Sequence, residues 1–397
     1  MNVATKRLTK SRFQSGRQCH KRLWLEVHQP DLAIWPTDAQ SRLTEGTRFG
    51  EFVRDWFGGV LVDAAPYETE KALAQTKIYL AASPSRVPML FEAAFEHEGV
   101  FVRVDALMRF SLADRLIEVK SATKAKDEHF WDCAIQAWVM RGAGRPVRTI
   151  SLGRVDSSFV YAREGDYKGL LSLDDCTEQV EALLPQVPRI VAELKAVLAG
   201  EQPRIGTGPH CMEPYPCPFF EHCRAAEPPA PAYPVEDLRA PTLIKDFRDA
   251  GYRDLREVPD ELLQNPKHQR MIAAAKSGEA VRSEEFNDAL TSIVDPRHAY
   301  DDGKIRLVFP YPRYYLDFET IAFVVPRWLG TRPYQQIPFQ FSCHVERQDG
   351  ALEHREYLDL SGGLPIEAFA DALLASVRDV GPILVWNQSF EATRVRE

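Results

Sequence analysis

The chain has 397 residues, 45% of them hydrophobic and 27% charged, with a formal net charge of −8. That is the make-up of a globular protein with length for two or three domains. No apolar run approaches the ~20 residues of a membrane span, the start lacks the apolar middle of a secretory signal, and an acidic total speaks against indiscriminate polyanion binding while leaving room for a local basic patch.

A cytoplasmic location without membrane association is therefore expected. Seven cysteines are an odd number, so a disulfide framework is not expected. Cys133, Cys176 and Cys343 stand alone in apolar or mixed text and read as buried or semi-buried thiols.

Residues 1–22 carry Lys6, Arg7, Lys10, Arg12, Arg17, Lys21 and Arg22 without an acid. The run reads as a solvated tail, a phosphate-binding patch or a transit segment. Cys19, in Gly16-Arg17-Gln18-Cys19-His20, speaks against removal if it is a ligand. Gly99 to Phe110 alternates as a strand carrying Asp105, and Arg115 to Lys120 reads as its neighbour. Alternation puts Glu118 and Lys120 on one face of that strand and Ile117 and Val119 on the other. Phe130 to Met140 reads as a helix bearing Gln136, Thr149 to Tyr161 as a strand, and Cys176 to Leu198 as one long amphipathic helix. Strands followed by helices imply a mixed α/β core.

Asp105 and Glu118 offer the hard oxygens that Mg²⁺ or Mn²⁺ takes. Lys120 is then placed to orient or help deprotonate a water attacking a phosphodiester, and Gln136 to steady that water or the lysine. Alone, Glu-x-Lys is a weak signal, since roughly one or two are expected by chance at this length; a solvated strand face is the plain alternative. The order of Asp, Glu-x-Lys and a Gln-bearing helix is more specific, because cysteines bracket it. Cys211, Cys217 and Cys223 form C-x5-C-x5-C, too wide for the paired C-x2-C halves of a zinc knuckle. Thiolates suit zinc and iron–sulfur clusters alike, and His20, His210 and His222 flank them.

Pro228, Pro229, Pro231, Pro234 and Pro241 mark residues 225–241 as an extended linker, closing a first unit at 1–224. Residues 242–300 read as a helical connector: Leu243, Phe247 and Ala250 share a face, Gly251 stops the helix, and Leu255, Val258 and Leu262 follow. It faintly resembles a helix-hairpin-helix, with a plain spacer as the alternative. The last unit, 301–397, has strand-like text from Leu307, and residues 313–320 deliver Asp317 and Glu319 on one strand face. Ile383 to Trp386 reads as a further strand leading to Asn387-Gln388-Ser389-Phe390-Glu391.

The pieces Cys19-x3-Leu23-Trp24-Leu25, Val104-Asp105, Ile117-Glu118-Val119-Lys120, Gln136 and the late cysteines stand in the order of a known group. Residues 1–224 resemble the RecB-like nucleases of the PD-(D/E)xK superfamily, specifically CRISPR-associated and helicase-nuclease relatives with a 4Fe–4S cluster. The resemblance implies a restriction-endonuclease-like mixed sheet, metal ligands at Asp105 and Glu118, lysine chemistry at Lys120, and cluster ligation by Cys19, Cys211, Cys217 and Cys223. Glu92, in Phe91-Glu92-Ala93, matches an upstream acidic metal position. Gly50 stands where many relatives carry a metal-binding histidine, and Glu51 is the candidate substitute.

Asp317, Glu319 and Glu391 similarly resemble the first acidic motifs of DEDD exonucleases with an RNase H-like fold, with Glu391 in place of the usual aspartate. The remaining motifs do not fit before Glu397, so a truncated or degenerate domain is expected. The domain order, with Arg332-Pro333-Tyr334-Gln335-Gln336-Ile337-Pro338, also resembles a bacterial family whose last domain is of unknown function. Together these imply a metal-dependent DNA nuclease in bacterial repair or defence, acting on single strands or ends beside a helicase or CRISPR/repair partner. The competing expectations are a catalytically silent nucleic-acid-binding protein and a zinc-stapled scaffold.

Overall fold

The computed structural model describes residues 7–35, 37–227, 229, 231–278, 309–378 and 380–396, the side chains of 37–43 excepted. Lys6, connector residues 279–300 and the text at 301–308, with Leu307, lie outside the described residues. The chain is an α/β protein with two mixed sheets and divides into two compact units. The first is Met1–Glu227 with Ala322–Gln335; the second is Pro228–Ile321 with Gln336–Glu397. Among the described residues no helix is long and apolar enough to cross a membrane.

In the first unit, β2 (Val60–Leu61), β3 (Met89–His97), β4 (Val100–Met108), β5 (Asp114–Lys120), β6 (Val147–Val155) and β7 (Leu171–Asp175) lie side by side in that order. β3, β4 and β5 run antiparallel in turn, while β5 and β6 are parallel. A strand has two hydrogen-bonding edges, and β3 occupies one edge of β4. The other edge is shared: β5 pairs with Ala106 to Met108, and the short β1 (Leu8–Thr9) pairs in parallel with Val100 and Phe101. Asp105 lies between these two pairings, beside the point where β1 turns into α1 (Lys10–Gln18).

The amino-terminal basic run is therefore no solvated tail from Leu8 onward. Leu8, Phe13, Leu23 and Leu25 are buried along β1, α1 and α2 (His20–His28). Arg17 stacks over the Trp131 ring at 4.1 Å, and Arg22 pairs with Glu26 at 2.9 Å. Burying an arginine's stem while pairing its head is how such a charge-rich segment joins a core. Helix α3 (Thr37–Phe57) holds Gly46 and Gly50, α4 (Thr69–Ala81) lies on β3 where Thr76 Oγ1 accepts from the Ala94 N–H at 2.9 Å, and α5 (Asp127–Gly142) buries Trp131, Ile135 and Val139 against the sheet.

Three expected elements differ. The single helix over 176–198 is α6 (Thr177–Leu183) and α7 (Val187–Ala199), joined by a 3₁₀ turn at Leu184–Gln186. Pro185 and Pro188 lack the N–H groups that an unbroken helix would use there. β6 stops at Val155 rather than Tyr161. The proline-rich linker ends sooner than expected, because Val235 and Leu238 are buried in the connector core with Ile244, Phe247, Leu255 and Val258. In that connector α9 (Pro241–Asp249) stops at Gly251, which takes φ +92°, and α10 (Pro266–Ser277) follows. Leu262 is exposed and Leu263 takes the inward position.

The second sheet has the order β10 (Leu352–Leu358), β9 (Ile337–Glu346), β8 (Arg313–Ile321), β11 (Ile383–Leu384). Tyr314, Leu316 and Phe318 of β8 face a core with Phe341 and with Phe369 of α11 (Ile366–Ser376). β11 is only two residues long, and Trp386 beyond it is 97% exposed.

Candidate active site

A cavity of about 410 Å³ in the first unit is lined by Lys10, Gly46, Gly50, Arg54, Glu92, Asp105, Glu118, Lys120 and Ser121. Sheet geometry assembles its centre. Asp105 on β4 and Glu118 on β5 come from antiparallel neighbours, and the Val119 N–H donates to Asp105 Oδ2 at 2.8 Å. Glu118 is fully buried, and Gln136 Nε2 donates to its Oε2 at 2.7 Å. Lys120 Nζ reaches Glu118 Oε1 at 2.7 Å and Asp132 Oδ2 at 2.6 Å. Gln136 thus holds Glu118, where the sequence suggested the attacking water or Lys120 as its partner, and its own Oε1 is buried without a partner.

Two residues central to this network escaped the sequence reading. Lys10 Nζ lies 3.2 Å from Asp105 Oδ1 and 3.2 and 3.1 Å from the two Glu118 oxygens. A lysine opening a helix stands at the positive end of the helix dipole, where cations are disfavoured; that misplaced charge was the available signal. Asp132 sits four residues before Gln136 on one helix face, a spacing that brings both to β5, where Asp132 meets Lys120 and Gln136 meets Glu118.

The charges lie at contact distance from one another. Burial and the nearby Glu118 push the Asp105 carboxyl up to about 6, against the pull of Lys10 and Lys120. Burial opposes ionisation of Glu118 too, but Lys10, Lys120 and Gln136 hold its carboxyl well below the usual range. Burial would lower Lys120, yet Glu118, Asp132 and Asp105 raise it well above an ordinary lysine. With these partners Lys120 is held as a hydrogen-bond donor to Glu118 and Asp132.

The other candidates fall around this centre. Glu92 lines the cavity, but at φ +57° it leaves the β3–β4 ladder, and its carboxylate pairs with Arg103 at 3.0 Å. Gly50 lines the cavity as well; Glu51 is exposed and lies 3.9 Å from Arg54, so it does not take the absent histidine's place. Tyr334, from the segment Ala322–Gln335, donates its hydroxyl to the Ser121 carbonyl, while Val324 packs with Phe49, Val53, Val155 and Leu170.

Cys19, Cys211, Cys217 and Cys223 line one small cavity with Lys21, Leu25 and Phe219. Cys19 separates α1 from α2, and Cys223 lies on α8 (Phe220–Ala225). The Cys217 N–H donates to the Cys211 carbonyl at 2.7 Å, folding that loop back. Burial pushes Cys217 up to about 11 and raises Cys211 and Cys223. Four thiols round one cavity are a donor set suited to soft metals. His210 Nε2 lies 3.6 Å from Cys211 Sγ, whereas His20 faces Glu193. Cys133, Cys176 and Cys343 are buried free thiols, as expected.

In the second unit Asp317 and Glu319 project from the exposed face of β8. Glu391, on α12 (Gln388–Arg396), is buried and its Oε2 has no partner. Among the described residues, no three His, Cys, Asp or Glu side chains gather to hold a single metal ion.

Residues 314–397 match a family model described as a domain of unknown function, DUF2779. No curated protein matches the chain. Among solved structures it is similar to one titled "Crystal structure of SSO0001", at 12% identity and a TM-score of 0.29, over 56% of this chain and 87% of that one.

Proposed function

We propose that the first unit is a divalent-metal-dependent nuclease that hydrolyses DNA phosphodiesters, with single strands or ends as substrate. The observation that carries this reading is the Lys10 ammonium held between Asp105 and Glu118 inside an open cavity, with Lys120 and Gln136 fixing Glu118. The residues fit a hard metal: two carboxylates from adjacent strands already share one positive charge. Mg²⁺ or Mn²⁺ bound there would supply Lewis acidity and a water acidic enough to act as nucleophile. The chain's own residues do the rest. Gln136 and the Val119 N–H hold the two carboxylates in fixed directions, as outer partners of ligands do. Lys120, kept protonated, is placed to donate to an oxygen that gains negative charge. Arg54 at the cavity wall suits a phosphate.

The four cysteines around one cavity support a 4Fe–4S cluster, with zinc as the alternative. Either would fasten Cys19 to a loop nearly two hundred residues away, closing a long loop. A helicase or CRISPR/repair partner, a setting in bacterial repair or defence, and an RNase H-like role for the second unit belong to this proposal. One observation favours a silent nucleic-acid-binding protein instead: Lys10 sits in the cation position while Gly50 offers no ligand. Anaerobically purified protein incubated with labelled single-stranded and double-stranded DNA and RNA, with Mg²⁺ or Mn²⁺, decides between them. Metal-dependent shortening of a strand upholds the nuclease; retention of strands without cleavage upholds the silent binder.

A further inference from the structure

Lys10 Nζ touches three carboxylate oxygens from two residues at 3.1–3.2 Å, which is the position a divalent ion would need. Both cannot be there together, because Mg²⁺ sits ~2.1 Å from its oxygens. We propose that Lys10 is the site's internal counter-ion, which holds the cation position until a divalent ion enters together with a substrate phosphate, and then pairs with that phosphate. The proposal rests on the nuclease reading and adds an order of binding to it.

Three features of the chain support the exchange. First, Lys10 is the cation that neutralises Asp105, whereas Lys120 is committed to Glu118 and Asp132. Second, the Lys10 backbone is fixed by the Leu8 and Thr9 pairing with β4 and by buried Phe13. Its ammonium, by contrast, ends a flexible four-carbon stem, is about one-fifth exposed and faces open cavity. Third, charge makes the two arrivals interdependent. Three carboxylates (Asp105, Glu118, Asp132) pair with two ammoniums (Lys10, Lys120) at this centre, while Glu92 and Arg54 on the cavity wall have Arg103 and Glu51 as partners. A divalent ion alone leaves one positive charge in excess and Lys10 unpaired in a partly buried place, which is costly. One phosphodiester cancels that excess and pairs the displaced ammonium. Metal should therefore bind weakly by itself and tightly with nucleic acid.

The test measures Mn²⁺ binding by the loss of its free electron-paramagnetic-resonance signal. It uses the full chain, with and without a short single-stranded phosphorothioate oligonucleotide. The parent should bind Mn²⁺ at least ~10-fold tighter with the oligonucleotide, and Lys10→Met should bind it ~10-fold tighter than the parent without one, as removal of a competing charge at contact distance implies. Lys10→Arg, whose planar fork grips carboxylates more firmly, should bind it more weakly than the parent, so the idea stays testable if the methionine variant does not fold. Equal affinity in the parent, Lys10→Met and Lys10→Arg, with Glu118→Gln losing it, overturns the counter-ion role and leaves the nuclease reading standing. Tighter binding by Lys10→Met with no cleavage by any variant upholds the counter-ion role and overturns the nuclease. No Mn²⁺ bound by any variant overturns both.

Discussion

Two pairs of acidic residues stand in this chain, and their surroundings differ in every respect that matters to chemistry. Asp105 and Glu118 come from neighbouring strands, and each oxygen described above meets a donor: a backbone N–H, Gln136, Lys120 or Lys10. Asp317 and Glu319 come from a single strand and face outward, two residues apart. Their proposed partner Glu391 is buried with one oxygen unmatched. A sequence motif can deliver carboxylates to one face; a site also needs counter-charge and burial, which only other elements supply. The first pair has both, and the second has neither among the described residues.

The sharpest break of this contrast is Glu118→Gln. If the first pair carries the chemistry, metal-dependent cleavage should fall by roughly a hundredfold or more, the scale on which single catalytic groups act, while visible absorbance from a cluster is unchanged. A variant that cuts at the parent rate moves the activity out of this cavity. Next comes Cys217→Ala. Anaerobic protein should hold about four irons per chain, and this substitution should lower iron content and thermal stability together, because binding of a metal group is also folding free energy. Stoichiometric zinc without iron in the parent replaces the cluster with a zinc staple.

A smaller effect is expected where the first unit is completed from afar. Val324→Ala removes two buried methyl groups and should destabilise the first unit by about 1.5 kcal/mol, read as a lowered denaturant midpoint. No change would mean that the segment merely rests on that surface. The smallest effect belongs to the second pair: Asp317→Ala should alter stability by no more than about 0.5 kcal/mol and leave cleavage untouched. Asp317-dependent cleavage would erase the contrast and give the second sheet a site of its own.

Much of this was legible in the sequence, for reasons of range. Alternation within β5 is local, so Glu118 and Lys120 on one face followed from periodicity, whereas Asp105 beside them followed from reading β4 and β5 as neighbours and from the motif order. Gln136 sat on a helix whose apolar spacing was clear. Lys10 was not legible as a partner, because its approach depends on β1 sharing an edge of β4 more than ninety residues away. The break at Pro185 and Pro188 was there to be read and was outweighed by the apolar periodicity around it. Val235 and Leu238 were masked by the prolines beside them, although proline forbids only certain backbone partners and not burial nearby. The attachment of Ala322–Gln335 to the first unit left no local trace, because it depends on Val324 meeting Phe49, Val53 and Leu170, which lie far away in the sequence.

That attachment sets a timetable for synthesis. The first unit's last piece, Ala322–Gln335, is made about 95 residues after Glu227. At ribosomal speeds this is a delay on the order of 5–20 s. Throughout it the face made by Val53, Val155 and Leu170 waits without Val324, and Ser121 without the Tyr334 hydroxyl. The nascent unit thus passes through a stage with its sheet in place and an apolar face uncovered, the kind of surface that chaperones hold and that neighbouring chains on a polysome contact by mistake.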